Sequence, residues 1–113
     1  VGLNKLAASY NPGFDPKDRA RALAKDLAST FPGLQVYLFG SAASGRFTED
    51  SDLDLLLVYP DGTDLAASQK TLYSKRWTDI AVDFICVTQE QFDKKKNLGG
   101  ICFESFHYGM KLI

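Results

Sequence analysis

Basic charge is not in surplus in this 113-residue chain: 13 Lys and Arg stand against 14 Asp and Glu, a formal net charge of −1. Proteins that draw their affinity from neutralising many phosphates carry a basic excess, so a role in coating DNA or RNA is disfavoured. Long apolar runs are missing too. The longest purely aliphatic run, Leu55 to Val58, falls far short of the roughly 20 residues that span a bilayer. Val1 to Tyr10 includes Lys5 and no sustained apolar stretch, so no signal peptide is expected. Cysteine is scarce: Cys86 and Cys102 stand alone, with no metal-ligand spacing around either. They read as buried thiols rather than a disulfide framework. The expected compartment is therefore cytoplasmic. His107 is the single histidine and sits among aromatics, which suits a packed or exposed ring better than a catalytic one.

What is present describes a folded domain. Hydrophobic residues make up 45% and charged residues 24%, a globular balance. A chain of this length buries roughly 65% of its extended surface, enough for a core without staples. No internal repeat or low-complexity segment divides it. Residues 1–14 are polar and turn-rich and read as an N-terminal arm, and residues 15–113 as one domain.

Asp15 offers an N-cap, with Pro16 at the first helical position. Ala20, Leu23, Ala24, Leu27, Ala28 and Phe31 then recur at helical spacing until Pro32-Gly33. Gln35 to Phe39 reads as a strand that ends at Gly40-Ser41, followed by a small-residue loop, Ala42 to Gly45. Leu53 to Tyr59 is a second strand, closed by the turn Pro60-Asp61-Gly62. A helix is predicted over Asp64 to Arg76 with Leu65, Leu72 and Tyr73 inward, and a third strand over Asp79 to Val87. Thr88 and Gln91 make a capping box for a short helix. Leu98-Gly99-Gly100 is a hinge before a tail with a helical turn and a short strand around Gly109. The expected fold is α/β (α+β), a small mixed sheet with helices mainly on one face. Strands two and three should be joined by a right-handed parallel crossover.

Three features carry chemistry. Gly40-Ser41 follows a strand directly, where glycine permits close backbone approach and hydroxyl and N–H groups suit phosphate oxygens; taken alone, such a pair is simply a turn. Asp52 and Asp54 lie two apart, on one face of a strand, and two like charges there call for a cation, unless they form a solvated strand edge. Asp83 is a lone acid in the apolar run Ile80 to Val87, costly without a partner or metal; an ion pair to Arg46, Lys75 or Arg76 is the plain alternative. If strands two and three are neighbours, all three acids meet beside the Gly-Ser turn. Such a cluster describes a divalent-metal site for phosphoryl or nucleotidyl chemistry.

Gly40-Ser41, ten residues, then Asp52-Leu53-Asp54 resembles the signature of minimal nucleotidyltransferases, in the DNA polymerase beta-like nucleotidyltransferase superfamily. Asp83, within Val82-Asp83-Phe84, matches the position of that superfamily's third acid. The stretch from Gly99-Gly100-Ile101 to Gly109-Met110-Lys111-Leu112 is similar to the usual tail of these small proteins. The resemblance covers about residues 15–113. It implies a nucleotidyltransferase fold and transfer of a nucleoside monophosphate from an NTP, commonly ATP, to a hydroxyl, with pyrophosphate leaving. Asp52, Asp54 and Asp83 would be the catalytic acids holding two Mg²⁺ ions, Asp83 also helping to take the acceptor proton. Gly40 and Ser41 would hold the outer phosphates. Where many relatives have arginines in the loop, this chain has Ala42, Ala43 and Ser44; Arg46 is the nearby stand-in for nucleotide binding, with a plain surface arginine as the alternative.

The chain has no room for a second, acceptor-binding domain, so a partner is expected to supply the acceptor. The resemblance implies a HEPN-domain toxin, which the nucleotidyltransferase neutralises as antitoxin, in some cases by adenylylating a tyrosine. Two other readings stay open: a non-catalytic antitoxin or binding module, and a homo-oligomer, a dimer acting on a small molecule. Lys94-Lys95-Lys96 reads as a solvated helix end, and Trp77 and Tyr73 as core, with base stacking the alternative.

Overall fold

The computed structural model describes residues 13–113, so nearly all of the expected arm, apart from Gly13 and Phe14, lies outside the described residues. Helix α1, Pro16–Thr30, starts as expected: the Asp15 carboxylate accepts the Lys17 N–H, and proline occupies the first turn. Its stripe of Ala20, Leu23, Ala24 and Leu27 is buried. Strand β1 is Gln35–Phe39 and β2 is Leu53–Tyr59. Between them, Gly40–Ser44 is a short helix, α2, where a loop was expected. The small side chains leave its backbone free to coil, and Gly45 ends it at φ +81°.

Helix α3, Leu65–Leu72, is shorter than the expected 64–76. Its last carbonyls are taken by side chains beyond it: the Ser74 hydroxyl donates to Thr71 and the Trp77 indole N–H to Leu72. Tyr73 therefore leaves the helix and is 64% exposed, not core. Trp77 does pack inward against Phe31, with Lys75 over its ring. The Arg76 guanidinium donates to the Thr78 and Asp79 carbonyls, bending the chain, so β3 begins at Val82 and runs to Thr88. Helix α4, Gln89–Lys95, carries the full Thr88–Gln91 capping box. Helix α5 is Gly100–Tyr108 and β4 is Met110–Lys111.

The sheet order is β3-β2-β1-β4. Strand β2 pairs antiparallel with β1 and parallel with β3, and β4 pairs antiparallel with β1. Leu53, Leu55, Leu57 and Tyr59 point to the face covered by α1 and α3, with Leu23, Leu27 and Leu72. Leu56 and Val58 point to the other face, against Phe92 of α4 and Cys102 of α5. The larger helix layer thus covers one face, and two short helices cover the second. Alternation along β2 places Asp54 on this second face.

Candidate active site

The sheet gathers the sequence-marked residues at one end. Phe39, the last residue of β1, is opposite Asp54, and Asp54 is opposite Asp83 of β3. Adjacent strands are about 4.8 Å apart and residues in register share a face, so the two carboxylates are side by side. Asp52 lies two residues before Asp54, exposed, where Leu53 N–H ties the chain to the Ala81 carbonyl.

Gly40 makes this arrangement possible. Its φ is +72°, a left-handed value that glycine adopts without cost. A Cβ placed there would run into the Asp54 carboxylate, only 3.1 Å from its Cγ. The turn after β1 and the acid of β2 are therefore in direct apposition. Ser41 follows in the first turn of α2, half-buried, its carbonyl occupied by the Ser44 hydroxyl and the Arg46 N–H. Arg46 itself is exposed beyond the far end of α2, roughly 8 Å along the helix from Gly40. The next residue, Phe47, lines a cleft together with Asp52.

Asp83 differs from its sequence reading. It lies on the edge strand of the sheet and is exposed, so solvent reaches a side chain whose sequence neighbours are apolar. Among the described residues it has no ion pair, and Arg76 is engaged with backbone carbonyls. The Asp54 carboxyl is pushed above the usual carboxylate range by burial first, then by the charges of Asp83, Asp52 and Glu104. Glu104, on α5, is the acid that sequence reasoning missed. Nothing in the linear pattern marks it; only the packing of Cys102 and Ser105 of α5 against the second sheet face turns it toward this end.

The donor set is all oxygen, which suits a hard divalent cation such as Mg²⁺ rather than zinc or copper. Repulsion within the set raises one proton affinity, and a cation relieves that repulsion, so the residues fit such an ion. Among the described residues, no three potential ligands are already drawn to metal-binding distance. A cleft of about 230 Å³ adjoins Asp52, lined also by Phe47, Glu49 and Asp50. An acidic cleft repels a bare phosphate and accepts one that arrives with its cations.

Residues elsewhere take structural roles. His107 bonds Asn97 and packs between Phe103 and Phe106. Lys94 pairs with Glu90 and Lys96 with Asp93, a charged helix end. Both cysteines are free, and burial raises each thiol. Among the described residues, no helix is long and apolar enough to cross a membrane.

Residues 20–105 match the family model of the nucleotidyltransferase domain. Among solved structures, the chain is similar to a Sulfolobus solfataricus protein solved as a candidate nucleotidyltransferase. The two are 30% identical, over 66% of this chain and 68% of the other, with a TM-score of 0.51. No curated protein matches.

Proposed function

Because this chain belongs to the nucleotidyltransferase domain family, and is a nucleotidyl-transferring enzyme by that membership, we propose that it moves AMP from ATP to a hydroxyl on a protein partner. The apposition of Gly40, Asp54 and Asp83 carries this reading. It sets a backbone turn that can approach phosphate oxygens directly against paired carboxylates that need a cation.

Asp52, Asp54 and Asp83 would hold two Mg²⁺ ions. Ions held by these carboxylates would offset the triphosphate charge and supply electrostatic stabilisation to the oxygens that react. Gly40 and Ser41 receive the outer phosphates. The acceptor oxygen attacks the α-phosphorus, the bond to the β-phosphate oxygen breaks, and pyrophosphate leaves with that electron pair. Asp83, exposed at the sheet edge, takes the acceptor proton. A near-neutral net charge fits, since cations rather than side chains balance the nucleotide.

A protein acceptor is supported by Leu98, 82% exposed, and Phe106, also exposed, around α5. Exposed apolar groups gathered on one segment mark interaction surfaces. In this reading the partner is a HEPN-type toxin, neutralised by binding and adenylylation. The experiment is transfer of label from α-phosphate-labelled ATP with Mg²⁺ in a lysate of the source cells, wild type beside Asp83→Asn. One labelled protein band, absent with the variant, is the expected result. Pyrophosphate release without a labelled protein would replace the protein acceptor with a small molecule. Neither signal would leave a non-catalytic binding protein.

A further inference from the structure

Tyr108, the last residue of α5, is 75% exposed, and its place is set by the backbone. The β1–β4 register puts Leu38 opposite Met110, so the chain leaving α5 arrives beside the end of β1, where Gly40 and Ser41 begin. Gly109 locks this junction. A Cβ there would come within 2.6 Å of the Leu38 carbonyl oxygen, so the last turn of α5 abuts β1 with no side chain between them. Cys102 and Ser105 are buried against the sheet and fix the rotation of the helix. Glu104 and Tyr108, four residues apart, then share one strip of its surface. The β1–β4 register sets the Tyr108 end of that strip beside the end of β1. The Tyr108 ring is braced edge-on by Phe103, centroids 6.1 Å apart.

The backbone thus carries an exposed aromatic residue to the end of the sheet where the Gly40-Ser41 turn begins, on a helix that covers the face of Asp54. We infer that Tyr108 is the platform on which the nucleobase of the NTP stacks. The inference rests on the nucleotide reading above and adds the base-binding half of the site. The acids and their cations deal only with the triphosphate; the base needs a flat apolar surface, and stacking on an aromatic ring provides one for any base. The two aromatics that sequence reading offered for stacking lie on the opposite face. Trp77 packs on Phe31 under Lys75, and Tyr73 leans edge-on against Phe84.

Calorimetric titration of the full chain with ATP and with inorganic tripolyphosphate, each with Mg²⁺, separates the two halves. We expect wild type to bind ATP more tightly than tripolyphosphate. Tyr108→Ala should weaken ATP about tenfold and leave tripolyphosphate unchanged, while Tyr108→Phe keeps wild-type affinity for both. Unchanged ATP affinity in Tyr108→Ala overturns the inference. So does equal weakening toward both ligands, which would mark a structural role. If wild type binds tripolyphosphate and ATP equally, phosphate recognition stands and base stacking fails. If it binds neither, the nucleotide reading itself fails, and this inference with it.

Discussion

At its Val58–Tyr59 end, β2 is buried on both faces and its neighbour β3 runs straight into a capped helix, Thr88 closing α4 through two reciprocal hydrogen bonds. At its Leu53–Asp54 end the same strand meets a glycine turn, an acid across the register and a second acid on α5. One end caps its following helix with hydrogen bonds from within the fold. The other gathers negative charge with no cationic side chain paired to Asp54 or Asp83 among the described residues. Stability and chemistry are therefore segregated along a single strand, and the open end is completed by what binds there.

Asp54→Asn should give the largest effect on activity. A fall in transfer rate on the order of a thousandfold is expected, equivalent to about 4 kcal/mol at the transition state. Stability should move the other way. A carboxyl raised above its unfolded value holds its proton more tightly in the native state, so native stability declines as pH rises from the ordinary carboxylate range through the raised value. The asparagine variant escapes that decline, and its Tm should gain on wild type from acid to neutral pH. A Tm gap that does not widen with pH would break the contrast between the two ends.

Leu56→Ala, at a fully buried position, should cost about 3 kcal/mol in denaturant melts. Gly40→Ala should cost about 2 kcal/mol and reduce activity, since it adds steric conflict with Asp54 to an unfavourable φ. Gly45→Ala has a similar φ but open space around it and should show only the smaller backbone penalty. Equal losses in the two would mean that the apposition with Asp54 is unimportant. Thr88→Ala removes a cap at the closed end and should cost about 1 kcal/mol with transfer rate preserved. Smallest of all, millimolar Mg²⁺ should raise the wild-type Tm by roughly 3 °C at neutral pH. The rise should shrink in acid and vanish in Asp54→Asn; an equal rise in both proteins would place the cation elsewhere.

Much of this was legible because it is local. The Asp15 cap, the Pro16 start and the Thr88–Gln91 box are interactions between residues at most three apart. Period-two alternation over Leu53 to Tyr59 matches the observed strand and with it the face of Asp54. Other features depended on contacts that linear spacing does not contain. Helix α3 stops at Leu72 because Ser74 and Trp77 return to its carbonyls, although Tyr73 to Arg76 could have extended it. Asp83 was read as costly because its neighbours are apolar, yet β3 is an edge strand and the side chain reaches solvent. Glu104 and Tyr108 carry no sequence mark. The end of α5 that carries them is set beside β1 because β4 pairs with β1.

The parallel register of β2 and β3 has a bearing on how molecules are made as well as on what they do. Asp54 and Asp83 face each other only because Leu53 is set against Val82 and every later pair follows in step. A slip of one residue would send Asp83 to the opposite face of the sheet, into the layer of Leu27 and Leu72, while leaving the composition of the strand pair nearly unchanged. Such a molecule would retain secondary structure and lose an acid from the site. Turnover per mole of purified chain therefore acts as an audit of strand alignment, counting only the molecules whose crossover closed in the correct step.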